Sequence, residues 1–262
     1  MEFENILVDT DGPVATITLN RPEKLNAIDL ALSRALDEAT WRFGDDESLR
    51  VMVITGTGRY FCAGLDISDA GQAERREFEG PQPTKTLQRR KYRQRHHELH
   101  DEFEKIEKPI ILAAQGPCLG LGLEMAVSCD FRFCTPATHF GLPEGRRLGV
   151  LAGSGGTSRL TRLIGPHWSK WIGMAGKYVD AETALRIGLV HEIYPADEFM
   201  ERVDAFAREL IEISGEALGI AKLTIDLCTA EDREKSRQIE RIANSSLGAG
   251  APRERGGTPS GR

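Results

Sequence analysis

Two glutamates, Glu124 and Glu144, stand twenty residues apart, and each follows a glycine-bearing turn. Glu124 lies beyond Gly116-Pro117-Cys118-Leu119-Gly120-Leu121-Gly122, in a stretch that is otherwise apolar (Leu123, Met125, Ala126, Val127). An ionised carboxylate in such surroundings is costly unless it is paired or put to use. Glu144 ends the run Phe140-Gly141-Leu142-Pro143-Glu144, where partial burial beside Leu142 and Pro143 favours keeping a proton. One carboxylate that takes a proton and one that gives it are the parts of general acid/base catalysis. An earlier turn, Phe61-Cys62-Ala63-Gly64-Leu65-Asp66-Ile67, has the same punctuation. Glycine admits positive φ and close approach to a ligand. A helix that starts directly after Gly120 leaves its first N–H groups free, with the positive end of its dipole outward, which describes an anion or oxyanion site. Taken singly, such a turn is more often only a tight connection, and Glu124 alone reads equally well as a dipole-stabilised residue of a helix start. It is the recurrence of the pattern that points to chemistry.

Other signals carry less. His96 and His100 are one helical turn apart, as a metal pair would be, but no third ligand or HExxH context accompanies them, so His96, His97 and His100 read as exposed or pH-responsive histidines and no metal site is expected. Lys85, Arg89, Arg90, Lys91, Arg93 and Arg95 form a basic run with Tyr92 interleaved, which reads as a solvated helix face; attraction of coenzyme phosphates or of RNA are the sharper alternatives. Ser154 lacks the spacing of a nucleophile elbow and Cys62 has no evident base, so a covalent mechanism is not expected. Gly120-x-Gly122 lacks the third glycine of a dinucleotide fingerprint, so NAD is not expected.

These residues need elements to hold them. Val14 to Leu19 alternates, with Ala15, Ile17 and Leu19 on one face, and predicts a strand closed by Asn20-Arg21-Pro22. Asp29 is a plausible N-cap for a helix whose stripe is Leu32, Leu36, Ala39 and Phe43. Val51 to Ile54 and Ile110 to Ala114 are wholly apolar and predict buried strands. Between them, Leu99, Phe103 and Ile106 have helical spacing. Leu123, Ala126 and Val127 predict a buried helix, Phe131 to Cys134 a strand, 180–187 a short helix stopped by Gly188, and Leu189 to Tyr194 a further strand-like run. Helical periodicity then fills 197–213 and 216–247. Alternating strands and helices make the class α/β. Gly248 to Arg262, rich in glycine and proline, reads as a disordered tail.

The 262 residues carry 34 Lys+Arg against 40 Asp+Glu, a net charge of −6, which offers no general attraction to nucleic acid or to an anionic membrane. No apolar run approaches the roughly 20 residues needed to cross a bilayer, and the start, MEFENILVDT, does not read as a signal peptide. Cys62, Cys118, Cys129, Cys134 and Cys228 are odd in number and unpaired in spacing, which predicts reduced, mostly buried thiols. A cytoplasmic location is expected.

Over roughly residues 3–247 the chain resembles the enoyl-CoA hydratase/isomerase (crotonase) family. The resemblance rests on ordered motifs: Asn20-Arg21-Pro22 with Leu25-Asn26-Ala27, Phe61 to Ile67, Gly120 to Glu124, Cys129-Asp130, Phe140 to Glu144, Gly155-Gly156-Thr157 with Arg159-Leu160, and Ala181 to Val190. It implies a crotonase-like β-β-α spiral over residues 1–195, a helical region at 196–247 that builds trimers or dimers of trimers, and a coenzyme A thioester as substrate, with no separate cofactor. It further implies that the backbone N–H groups of Leu65 and Leu121 form an oxyanion hole, that Glu124 deprotonates water and Glu144 protonates C2, and that Gly153 helps hold the water. Lys24, Ala27, Ala63, Asp66 and Ile67 are the coenzyme A contacts it implies. Arg146 and Arg147 stand where such chains usually carry apolar residues. Retention of both glutamates favours hydration of a 2-enoyl-CoA. An isomerase or a hydroxycinnamoyl-CoA hydratase-lyase is the alternative within the family, and a non-catalytic acyl-CoA- or RNA-binding protein is the alternative outside catalysis.

Overall fold

Strands without alternation belong inside a sheet covered on both faces, and the two apolar runs sit there. In the computed structural model, which describes residues 3–68, 71 and 95–248, one six-stranded sheet has the order β1 (Ile6–Asp11), β2 (Val14–Leu19), β3 (Val51–Gly56), β4 (Ile110–Ala114), β6 (Phe131–Cys134), β9 (Glu192–Ile193). Only β1 runs antiparallel to its neighbour; β2 through β9 are parallel, with Val53 opposite Ile111 and Ile111 opposite Phe131. A second, three-stranded sheet joins β5 (Cys118–Leu119), β7 (His139–Gly141) and β8 (Val179–Asp180).

The two sheets are linked by a repeated step. After each of β2, β3, β4 and β6 the chain enters the second layer, at Ile28, at Cys62 to Leu65, at β5 and at β7 respectively. There it pairs in parallel with the corresponding residues of the next turn: Ile28 with Leu65, Cys62 with Cys118, and Cys118 with Phe140. Helices close the turns. They are α1 (Leu30–Asp45), α2 (Arg95–Lys105), α3 (Leu121–Ala126) and α4 (Glu144–Leu148). This is the spiral of β-β-α turns, and the later turns pass through glycine-marked positions of the second layer, at Gly64, Gly120 and Gly141. Successive turns therefore stack the 63–66, 120–124 and 141–144 segments side by side.

Local chemistry explains the elements. Asp29 caps α1 by accepting from Leu32 N–H at 2.8 Å, and the stripe Leu32, Leu36, Ala39, Phe43 is buried. Leu99, Phe103 and Ile106 are buried as their spacing predicts. One face of the large sheet packs with α1, α2 and α3 around Ile17, Ile54 and Leu112; the other, around Val51, Val53 and Ile111, is covered by α7 (Phe199–Ile211) through Phe199, Val203, Ala207 and Leu210. Each such fully buried side chain stabilises the fold by about 1.5–3 kcal/mol relative to exposure. Beyond Glu144 the remaining helices are α5 (Gly156–Ser169), followed by a single π-turn at Lys170–Met174, then α6 (Ala181–Arg186), α8 (Gly215–Cys228) and α9 (Arg233–Gly248).

Two expectations need correction. The continuous helix across 216–247 is two helices: Asp232 caps α9 by accepting from Glu234 and Lys235 N–H at 3.0 and 3.1 Å, and α8 has already closed at Thr229. A local carboxylate can end one helix and start the next without glycine or proline. The strand-like run Leu189 to Tyr194 contracts to Glu192–Ile193, because Leu189 and Val190 are buried under α6 rather than paired in the sheet. The basic run from Lys85 lies outside the described residues apart from the backbone of Arg95, and Gly248 is the last described residue of the tail. Among the described residues no helix is long and apolar enough to cross a membrane.

Candidate active site

Glycine 120 sets the site's geometry. It takes φ +57°, ψ −126°, a conformation that side chains disfavour, and α3 begins at the next residue. Leu121 N–H is thus the first amide of a helix and has no partner within it. In the neighbouring turn, Gly64 C=O accepts from Ile28 N–H and Asp66 N–H donates to Ile28 C=O, both within 2.9 Å. That parallel bridge engages the groups on either side of Leu65, so the Leu65 N–H faces the other way. The two turns touch: a β-carbon on Gly64 would sit 3.5 Å from Gly120 Cα and Leu121 N. The turns that carry the Leu65 and Leu121 amides therefore lie against each other, the proximity that two donors to one oxygen would need.

One predicted carboxylate reaches that region, and the other lies close enough to feel its charge. Glu144 extends from the start of α4 to Gly120, where a β-carbon would come within 2.6 Å of its Oε1. Its Oε2 is buried and has no hydrogen-bond partner among the described residues. Burial pushes the Glu144 pKa up from 4.5. Glu124 is 4% exposed. Its Oε1 accepts from Ser154 N–H at 2.7 Å and Gly156 N–H at 3.1 Å, the loop and helix start that follow Gly153. Burial raises its pKa to about 7, with the two amides opposing and the negative charge of Glu144 adding to the rise.

The Ser154 and Gly156 amides are functional parts that the sequence reading missed; the Gly-Ser-Gly-Gly run before a helix is the signal, since free amides at a helix start hold carboxylates. A second missed part is His100. It is fully buried, not exposed as expected, and its Nδ1 donates to Ser154 C=O at 2.9 Å. Because a carbonyl only accepts, Nδ1 carries the hydrogen; burial lowers the His100 pKa to about 4, so the ring is neutral at pH 7. Arg159 on α5, paired with Asp101 and Glu104 of α2 at 2.5 and 2.7 Å, also reaches Ser154 C=O at 3.4 Å. Helix α2 thus braces the loop that holds Glu124.

The predicted coenzyme contacts form one neighbourhood at the other end of these turns. Ala63 N–H donates to Leu25 C=O at 3.0 Å, joining the 24–27 and 63–67 segments. Buried Asn26 locks them by accepting from Arg21 N–H and donating to Thr57 and Tyr60 C=O, all within 2.9 Å. Lys24 and Ile67 are exposed, and Ala27 and Ala63 are half-buried. Asp66 is engaged otherwise: its carboxylate pairs with Arg21 at 3.1 Å and accepts from Ser68, which leaves it a brace between the turns. All five cysteines are free thiols, and burial pushes Cys62 up to about 12, which makes it no nucleophile at neutral pH. Among the described residues no cluster of three potential ligands could hold a metal ion.

The raised Glu124 pKa has a stability consequence. Its folded value, about 7, lies above 4.5, so the stabilisation from holding the proton is complete below about pH 4.5 and is lost as pH rises through 7. Glutamine mimics the protonated form and does not titrate. Glu124→Gln should therefore raise the unfolding midpoint at pH 8, with the gain shrinking towards pH 5; an equal gain at both values would exclude this origin.

The sequence profile of the family described as enoyl-CoA hydratase/isomerase matches residues 9–258. A short-chain-enoyl-CoA hydratase of Clostridium acetobutylicum is 33% identical over 86% of this chain and 82% of its own length. A carnitinyl-CoA dehydratase of Salmonella typhi is 36% identical over 84% and 79% respectively. The crystal structure of an enoyl-CoA hydratase from Bacillus anthracis superposes with a TM-score of 0.83 at 28% identity, covering 93% of this chain and 91% of that one. The spiral is thus the fold of the enoyl-CoA hydratases it superposes on. The chain belongs to the enoyl-CoA hydratase/isomerase family.

Proposed function

We propose that the protein adds water across the C2=C3 double bond of a 2-enoyl-CoA. The observation that carries this reading is a pair of neighbouring carboxylates: half-buried Glu144, which reaches Gly120 and has one unpartnered oxygen, and buried Glu124, which is held by the Ser154 and Gly156 amides and feels the charge of Glu144. The thioester oxygen accepts from Leu65 and Leu121 N–H. Glu124, ionised, takes a proton from water as the water oxygen bonds to C3. The C2=C3 π electrons move towards the carbonyl, giving an enolate-like state, and Glu144 delivers its proton to C2. A proton then passes from Glu124 back to Glu144, and a 3-hydroxyacyl-CoA leaves. The balance needs only water and the thioester, so no separate cofactor enters the proposal. Donors aimed at the enolate oxygen stabilise the transition state more than the substrate, and one such donor contributes about 3 kcal/mol.

The test is spectroscopic. Crotonyl-CoA mixed with the protein should lose the absorbance of the conjugated thioester and yield 3-hydroxybutyryl-CoA; binding without turnover across a panel of enoyl thioesters would sink the proposal. Double-bond migration or aldehyde release in the product mixture would instead support the isomerase or hydratase-lyase reading. The rate should rise with pH through about 7 as Glu124 ionises. The proposal extends to a cytoplasmic homotrimer or dimer of trimers without nucleic-acid or membrane partners. Free thiols support the compartment, and exposed Ile225, Leu227 and Ile242 on α8 and α9 support association through the C-terminal helices.

A further inference from the structure

Beside the Glu144 segment lies a cleft of about 480 Å³ lined by Pro143, Arg146, Arg147, Gly176, Lys177 and Tyr178. Its lining holds three cations and a phenol, and no carboxylate. Several arginines elsewhere, Arg21, Arg42, Arg159, Arg202 and Arg208, each pair with Asp or Glu. Arg146, Arg147 and Lys177 make no ion pair with any described residue. Three like charges in one concavity repel one another, and in a chain of net charge −6 they are conspicuous. An anion in the cleft would relieve that repulsion, and guanidinium groups match a carboxylate with two parallel donors.

The cleft is tied to the candidate active site by its construction. Arg147 follows Glu144 by three residues in α4 and so shares its side of the helix. Gly176, at φ +60°, packs against the Arg146 stem, where a β-carbon would be 3.1 Å from Arg146 Cβ. The Tyr178 ring lies against Gly141 of β7, the strand that leads into Leu142, Pro143 and Glu144. Lys177 extends over the Trp171 ring, 6.0 Å from its centroid. Glu144 reaches towards Gly120, and the cleft opens on the other part of the same short segment. The acid and the cleft thus share the short segment 143–147.

We infer that this cleft binds a carboxylate at the distal end of the acyl group, so that the preferred substrate is the CoA monothioester of an unsaturated dicarboxylic acid. The inference rests on the hydratase reading and names its substrate class. It also disfavours acyl groups with a fixed positive charge, such as carnitinyl, which the same three cations would repel.

The test separates the cleft from the chemistry by measuring binding with thioesters that cannot react. Glutaryl-CoA, pentanoyl-CoA and free coenzyme A are titrated calorimetrically into the full chain and into Arg146→Met, Arg147→Met and Lys177→Met. The unaltered protein should bind glutaryl-CoA at least tenfold more tightly than pentanoyl-CoA, and that ratio should fall at least fivefold in Arg147→Met. Because coenzyme phosphates are common to all three ligands, they cancel in the ratio. A ratio within twofold of one in the unaltered protein overturns the inference. So does equal weakening of all three ligands in the variants, which would assign the cations to the coenzyme's phosphates. Turnover across a panel of enoyl-CoA thioesters that includes an unsaturated dicarboxylic monothioester is measured in parallel: its absence removes the hydratase reading, whereas turnover with an affinity ratio near one removes only the carboxylate site.

Discussion

Glu144→Gln should lower the rate of crotonyl-CoA hydration at least ~100-fold, and Glu124→Gln should do the same, since a positioned acid or base typically contributes 10²–10⁴-fold. Glutamine keeps the shape of each side chain. At 144 it cannot deliver a proton to C2; at 124 its carbonyl still accepts from Ser154 and Gly156 N–H but cannot take a proton from water. The loss should therefore fall on kcat, with KM changed little, because the proposed thioester and coenzyme contacts are made by other residues. The double variant should lose much less than the product of the two single losses, since the two groups act on one step. Either single variant within threefold of the unaltered rate, with an unfolding midpoint no lower than that of the unaltered protein, would overturn the acid/base assignment.

The largest expected loss of stability comes from Lys222→Met. Lys222 Nζ lies 2.9 Å from Asp130 Oδ2, 2.6 Å from Phe103 C=O and 3.3 Å from Lys108 C=O, and its side chain is 8% exposed. It pins α8 to the end of α2 and to the turn before β6. Asp130 also accepts from Ile110 N–H at 2.7 Å, at the start of the central strand β4. Burial pushes the Asp130 pKa above 3.8 even with Lys222 beside it. Removing the cation strands the carboxylate, which costs about 3–5 kcal/mol for a buried pair. Denaturant unfolding at pH 7.5 measures it. The loss should be smaller at pH 5, because the raised folded pKa means that the folded state gains protons relative to the unfolded one as pH falls. Asp130→Asn in the same background should recover part of the loss by removing the uncompensated charge while keeping an acceptor for Ile110. A single Lys222→Met loss below about 1 kcal/mol would place the ion pair among the weak surface kind.

The sheet was legible where burial is one-dimensional. Strands β3 and β4 appear as unbroken apolar runs because both of their faces are covered, and α1 appears as a stripe because only one of its faces is. The short strands β5, β7 and β8 were not legible: with two or three residues each, they have no period to read, and they exist because the preceding turn of the spiral offers a backbone edge. The break at 229–232 was missed because Asp232 makes it with a side-chain cap, a signal indistinguishable from surface polarity without knowing what it faces. His100 was misjudged for a similar reason. Its neighbours His96 and His97 are partly exposed, and only the packing of α2 against the 153–156 loop buries the third ring.

The residue types and their order by themselves determined the class of fold and singled out two candidate carboxylates and the turns beside them, because glycine at a conformationally demanding position and a glutamate in an apolar stretch are both locally costly and so stand out in the chain. Which groups meet was decided only in three dimensions. The stacking of successive spiral turns brings Leu65, Leu121, Glu124 and Glu144 together, aims the Ser154 and Gly156 amides at Glu124, and gathers Arg146, Arg147 and Lys177 around one cleft. The physical reason is that hydrogen-bond direction, desolvation and charge repulsion depend on distances of a few ångströms between segments that the chain order separates by tens of residues.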